Sequence, residues 1–306
     1  MKILVTGGSG FIGSHLVDKL IEKKHEVIVL DLKRPTNNKA KWVKVDILDL
    51  NVLIKTLKQL NVDIVYHLAA IADANIAYKN PILAVKVNIE GTANVLEACR
   101  QSNVSRVIYA STIWVYNASL EEKVDEDVLL TTETKHIYTT TKLFGEFLCH
   151  DYKYLYGLDY TILRFGIPYG PRGRFNVVSI FIKRALMNQP LIIRGSGEQK
   201  RQFIYVEDLA LGCVKALKRV AVNKTYNLVG PKMISVNEIV QIIKKYIPNI
   251  KVMRTAERKG ELGYKYVSSK KAETELNWRP KVDIDEGIRR TIRWYRAKMK
   301  EEYEKV

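Results

Sequence analysis

Apolar positions along the chain follow two alternating rhythms: short unbroken runs, and longer stretches that repeat every three to four residues. The first run, Ile3-Leu4-Val5, leads into Thr6-Gly7-Gly8-Ser9-Gly10, after which Phe11, Ile12, Leu16, Val17 and Leu20 recur at helical spacing. That reads as a buried strand, a tight glycine turn and a helix. Further strand-like runs follow at 26–30, 42–45, 63–68, 106–110 and 159–165, with amphipathic stretches at 81–101 and about 136–156 between them. Strands that alternate with helices pair in parallel and are covered on both faces. The expectation is an α/β protein with a doubly wound parallel sheet over residues 1–166, to which 209–230 return, and a smaller domain over 167–306. Near the end, Ile284, Ile288, Ile292, Tyr295 and Met299 trace the apolar stripe of a docked helix.

The glycine turn narrows the sheet to the Rossmann type. A pyrophosphate fits at the start of such a helix, where unpaired backbone N–H groups and the helix dipole favour negative charge. Gly7 permits the turn, Gly10 lets the pyrophosphate approach, and Gly13 lets the helix pack on the strand. The second strand delivers Asp31 to its carboxyl end, where an acid hydrogen-bonds a ribose 2′-hydroxyl, so NAD is expected. Lys33 and Arg34 are the cations that would serve a 2′-phosphate instead. After the fourth strand, Ala69 and Ala70 leave room either for a flat cofactor or for close helix packing.

The fifth strand ends at Ser111 and Thr112, beside a helix that carries Tyr138 and Lys142 four residues apart on one face. A phenol titrates near pH 10 and is a poor base unless a neighbouring cation favours the phenolate. Lys142 is expected to supply that charge, with oxidised nicotinamide adding a second. Tyr138 would then take a proton from a substrate hydroxyl as hydride leaves the same carbon, while Thr112 holds the oxygen. Such assistance is worth roughly 10²- to 10⁴-fold in rate.

Charge and composition exclude other classes. A net charge of +17 invites nucleic acid, but residues 270–306 mix eleven Lys/Arg with eight Asp/Glu and no aromatic-basic repeat or recognition motif occurs. The 47% hydrophobic content suits one large or two moderate cores. No apolar run is long enough to span a membrane and no signal segment is read, so a cytoplasmic protein is expected. Cys99, Cys149 and Cys213 match neither a zinc spacing nor a disulfide framework, and the five histidines do not cluster, so no metal is expected.

In sequence order, the segments 6–13, 67–70, 88–100, 111–116, 138–142, 163–172, 195–209 and 258–261 resemble the extended short-chain dehydrogenases/reductases, within the nucleotide-sugar epimerase and dehydratase group. The resemblance implies a catalytic set of Thr112, Tyr138 and Lys142. It implies cofactor contacts from Gly7, Gly10, Phe11, Ile12, Gly13, Asp31, Asp46, Ile47, Leu68, Ala69 and Ala70, with Asp46 at the adenine. Asn176, Arg201 and Arg258 would hold the sugar nucleotide, the arginines by gripping phosphate oxygens bidentately. The implied activity is an NAD-dependent epimerase acting at carbon 4 of a UDP-hexose through a 4-keto intermediate, in a homodimer paired through helices 81–101 and 136–156. The alternatives are a nucleotide-sugar reductase or dehydrogenase, a dehydratase, and a noncatalytic NAD-sensing protein. Several positions depart from the family pattern. Ile113 and Trp114 replace the Asp-Glu pair of the hexose dehydratases, which removes the acid and base for eliminating water. Ile167 stands where an Asn is usual, Lys135-His136-Ile137 replaces the usual lead-in to the tyrosine, and Gln202 replaces a common Asp.

Overall fold

The structure is a computed structural model that describes residues 1–131, 133–173, 176–256 and 265–303. Its strands are β1 (Lys2–Thr6), β2 (Glu26–Leu30), β3 (Lys41–Val43), β4 (Ile64–His67), β5 (Arg106–Thr112), β6 (Lys123–Val124) and β7 (Asp159–Phe165). Beyond them lie β8 (Ile167–Tyr169), β9 (Leu191–Arg194), β10 (Lys200–Tyr205), β11 (Lys224–Leu228), β12 (Met233–Ser235), β13 (Val252–Thr255) and β14 (Tyr266–Val267). The main sheet runs β11-β7-β5-β4-β1-β2-β3, with every neighbouring pair parallel. From β1 the chain winds one way through β2 and β3, then returns to β4 and winds the other way. The crevice at the carboxyl ends of β1 and β4 is therefore the switch point where doubly wound sheets take ligands.

Both faces of this sheet are buried, as its unbroken apolar runs require. Ile3 and Val5 point to one core with Leu16, Val17 and Leu20 of α1 (Phe11–Glu22), whereas Leu4 between them points to the other. That second core holds α2 (Leu50–Leu60), and its covering continues through α3 (Ala74–Lys79) and α4 (Pro81–Val85) to α5 (Gly91–Gln101) and α6 (Ile137–Tyr156). The stretch expected as one helix over 81–101 contains a π turn, Lys86–Glu90, between α4 and α5. The turn carries the Asn88 side chain into the interior.

The second part is built on β8, β10 and β12, with β9 and β13 paired beside them. Its own core gathers Tyr169, Phe181, Phe203, Ile239, Ile288, Ile292 and Tyr295 from those strands and from α7 (Val177–Leu186), α9 (Val236–Tyr246) and α11 (Ile284–Tyr303). Between β10 and β11, α8 (Val206–Lys215) packs on α1, and β11 then joins the edge of the main sheet against β7. Trp278, just after α10 (Lys270–Leu276), packs in the same core as Leu209 and Cys213 of α8. No helix among the described residues is long and apolar enough to cross a membrane.

Candidate active site

At the carboxyl end of β1 the backbone itself forms the site. Gly7 takes the left-handed conformation at φ 69°, its N–H donates to Leu30 O, and Gly10 N–H donates back to Gly7 O. A Cβ on Gly7 would lie 2.6 Å from Ala69 N, and one on Gly13 would lie 2.2 Å from Gly7 O. Neither position has room for a side chain. Gly10 offers α1 no side-chain cap and the first turn holds no acid, so no side chain of that turn answers the first N–H groups of the helix. An uncapped helix start behind a close-packed glycine turn fits a pyrophosphate.

Asp31 is drawn onto that turn: Oδ2 accepts from Ser9 N at 3.0 Å and Oδ1 from Lys33 N at 3.0 Å. Arg34 packs over the Trp42 ring at 4.9 Å, and Trp42 Nε1 donates to Asp31 O. Asp46 is exposed and accepts from Leu48 N, while Ile47 is buried against Gly91, where an added Cβ would meet Ile47 Cδ1 at 2.6 Å. Leu68, Ala69 and Ala70 line the crevice half-buried, and Thr6 Oγ1 accepts from Ala69 N. Ala69 thus serves close packing against Gly7, one of the two uses its size allows.

Beyond β4, the next strand presents the chemistry. β5 ends on Thr112, whose Oγ1 accepts from Trp114 N and opens a short 3₁₀ turn, Ile113–Tyr116. His136 stands at the N-cap of α6, its Nδ1 accepting from Tyr138 N at 3.2 Å. The imidazole thereby does what a short polar cap does elsewhere. Trp114, His136 and Tyr138 meet edge to face, with Trp114 5.8 Å from the Tyr138 ring and 5.3 Å from His136. The Tyr138 hydroxyl hydrogen-bonds Thr112. Lys142, one turn further along α6, is buried with its ammonium 4.4 Å over the Tyr109 ring.

The electrostatics correct one expectation. Burial pushes the Tyr138 phenol up to about 12, and the Thr112 hydrogen bond opposes this only in part. Lys142 is itself lowered to about 8 by burial, with Glu146 opposing. The protein's own groups therefore leave the phenol protonated, because burial disfavours the phenolate and only the Thr112 hydrogen bond opposes it.

Beneath the pair lies a buried polar layer that pattern reading missed. Glu146 and Arg164 form an ion pair, Nη2 to Oε2 at 2.6 Å and Nε to Oε1 at 3.1 Å. Ser111 donates to the same carboxylate, and Arg164 Nη1 donates to the Tyr116 hydroxyl. The Asn88 amide accepts from Ile71 N at 2.7 Å and donates to Thr141 Oγ1 at 2.9 Å, joining the π turn and the loop after β4 to α6. His67 bridges Thr6 and Thr92, and burial, then Lys142, lowers its pKa to about 3. One signal was available: Arg164 sits inside an otherwise buried strand and demands a partner, and Glu146 follows Lys142 at i+4.

The expected sugar-nucleotide residues are less uniform. Arg201 is buried on β10, with Nη1 donating to Lys200 O. Asn176 caps α7 through Oδ1, which accepts from Ser179 N at 2.8 Å. Arg258 lies outside the described residues. Ile167 pairs with Phe203 at the start of β8 and packs against the core of the second part, its side chain offering no donor. Gln202, on β10, donates to Gly230 O and Val267 O and accepts from Val267 N, so two of its three bonds pin β14 and the third holds the turn after β11. An aspartate could not donate to either carbonyl. Among the described residues no group of His, Cys, Asp and Glu is arranged to hold a metal.

A doubly wound sheet with an open glycine turn at its switch point, and a Thr-Tyr-Lys set beside it, defines a dinucleotide-dependent enzyme of the short-chain dehydrogenase type. More closely, residues 3–229 match the model of the NAD dependent epimerase/dehydratase family, and the chain belongs to that family. It is 39% identical over 303 residues to a putative UDP-glucose 4-epimerase of Methanocaldococcus jannaschii, covering 95% of this chain and 97% of the relative. It also resembles the solved UDP-glucose 4-epimerase of Thermotoga maritima with UDP-glucose, at 32% identity and a TM-score of 0.90, covering 98% and 100% of the two chains. The UDP-glucuronic acid 4-epimerase of Bacillus cereus, in complex with UDP-glucuronic acid and NAD, gives 32% identity and a TM-score of 0.89, covering 97% and 99%.

Proposed function

We propose that this protein is an NAD-dependent nucleotide-sugar 4-epimerase, with a UDP-hexose as substrate. The carrying observation is the Thr112–Tyr138 contact with Lys142 one turn away, at the edge of the sheet that holds the glycine turn. Gly7, Gly10, Gly13, the first amides of α1 and Asp31 would hold NAD, which would supply the acceptor and then the donor of a hydride at carbon 4. Thr112 orients the carbon-4 oxygen while Tyr138 takes its proton, and Tyr138 returns the proton once the 4-keto sugar has turned its other face. A phenol pushed up to about 12 performs this only next to added positive charge, which an oxidised nicotinamide brings. Residues 167–306 would hold the sugar nucleotide, with Arg201, Asn176 and Arg258 at its diphosphate and ribose.

Dehydration is disfavoured because Ile113 and Trp114 supply neither acid nor base. The likeness to UDP-glucuronic acid 4-epimerase supports a second reading, in which the sugar carries a carboxylate. A noncatalytic NAD sensor has no use for an intact Thr112, Tyr138 and Lys142. Incubation with NAD and, separately, UDP-galactose and UDP-glucuronate, read by NMR, tests all of these. A carbon-4 epimer without accumulating NADH is the expected result, whereas net NADH or a keto-deoxy product overturns it. Tyr138→Phe should lower kcat by roughly 10²- to 10⁴-fold while NAD stays bound.

The working form in this reading is a cytoplasmic homodimer. Ile82, Val85, Phe144, Phe147 and Tyr154 leave an apolar surface on α4 and α6, with Tyr154 90% exposed. A purely monomeric elution in gel filtration would end the dimer reading.

A further inference from the structure

The residues just after β8 reach across to α1. Pro171 O accepts a hydrogen bond from His15 Nε2, in the second turn of α1, at 2.9 Å. Arg172 lays its guanidinium against the same imidazole, with Nη2 2.9 Å from Nδ1, and donates from Nη2 to Asp18 Oδ2 at 2.6 Å. Nη1 reaches Thr36 Oγ1 in the loop after β2, and Asn37 braces Asp18 from that loop. Arg172 holds this reach from φ 67°, a conformation that costs a residue with a side chain roughly 1 kcal/mol. A glycine would relieve that strain, so the side chain has its use in the contacts it makes. On its other side the segment after β8 is tied to the sugar-nucleotide part, because Tyr295 of α11 donates its hydroxyl to Gly173 O. His15 is buried and held neutral, pushed down to about 4 by burial and by the Arg172 cation.

We propose that Arg172 is a positioning residue that fixes the sugar-nucleotide part against the helix at the cofactor's pyrophosphate. The inference rests on the epimerase reading. In that reading the hydride donor and acceptor are held by different parts of the chain, and their approach is set by whatever joins those parts. Misplacement of reacting atoms by about 1 Å can cost 10²-fold in rate. The Arg172 contacts tie the second turn of α1 to the residues just after β8. With this tie cut, the 4-keto sugar would leave before hydride returned, and the enzyme would be left holding reduced cofactor.

The test compares Arg172→Gly, which removes the fork and relaxes the backbone, with Arg172→Lys, which keeps a charge for Asp18 but not the planar fork. Both are read on NAD-loaded protein by kcat, by KM and by absorbance at 340 nm during turnover without added cofactor. Arg172→Gly should melt within a few degrees of the parent. Its kcat should fall about tenfold with KM changed less than threefold, and enzyme-bound 340 nm absorbance should build up. Arg172→Lys should lie between the two. Parental kcat with no absorbance in Arg172→Gly overturns the inference, as does a loss of kcat that merely tracks a loss of folded protein by circular dichroism. A parent that makes no epimer from any UDP-sugar defeats the functional reading instead, so the two failures are told apart.

Discussion

The proposed cofactor end and the proposed sugar-nucleotide end of this molecule are built from different materials. At the first, Gly7 and Gly13 leave no room for a Cβ and the uncapped start of α1 offers main-chain N–H groups, so the recognition surface is backbone. At the second, Arg201, Asn176 and Gln202 present side-chain atoms, and each is engaged in local structure: Arg201 with Lys200 O, Asn176 in capping α7, Gln202 in holding Gly230 and Val267. Backbone recognition is fixed by spacing and survives drift in the remaining residues. Side-chain recognition changes with every substitution, which is where Ile167 and Gln202 depart from the family pattern.

The largest expected effect falls between these regions, on the Glu146–Arg164 pair. Glu146→Gln leaves a buried guanidinium without its carboxylate, and a loss of about 3–5 kcal/mol in urea denaturation is expected. The pair draws on β5, β7 and α6 alike, so a loss below 1 kcal/mol would show that it carries little of the junction. Next comes the backbone end. Gly13→Ala places a methyl 2.2 Å from Gly7 O, so the turn must open, and NAD affinity measured by calorimetry should fall about 100-fold, close to 3 kcal/mol. Affinity within threefold of the parent would show that the turn yields, against the contrast drawn above. Smaller again is Gln202→Glu, which sets a carboxylate oxygen against Gly230 O and Val267 O at a cost of roughly 1–3 kcal/mol in stability. Unchanged stability would make Gln202 dispensable to β14.

The same contrast decides how much could be read from the chain. Strand and helix order, the glycine turn and Asp31 were legible because each follows from local periodicity or a fixed spacing. Thr112, Tyr138 and Lys142 were legible once the fifth strand was placed before their helix. The π turn at 86–90 was not, since a single extra residue hardly disturbs an apolar stripe, and the inward Asn88 that it carries needs Ile71 and Thr141 to make sense. Arg172 was hidden for a related reason. Its partners lie more than 130 residues away, and nothing local marks a left-handed arginine.

The gentlest probe is pH, and it acts where the two ends meet. The Lys142 ammonium is lowered to about 8 by burial among Tyr109 of β5 and Glu146 and Cys149 of its own helix, and it in turn depresses His67 of β4. Its charged form is therefore present below about pH 8 and lost above it, although an exposed lysine would keep its proton past pH 10. If catalysis needs that charge beside Tyr138, kcat/KM should be level below pH 8 and then fall, approaching tenfold per unit. Because Glu146 raises the Lys142 value, the fraction of Glu146→Gln that remains folded should lose activity at lower pH than the parent. A limb at the same pH in both proteins would mean that Lys142 does not set it.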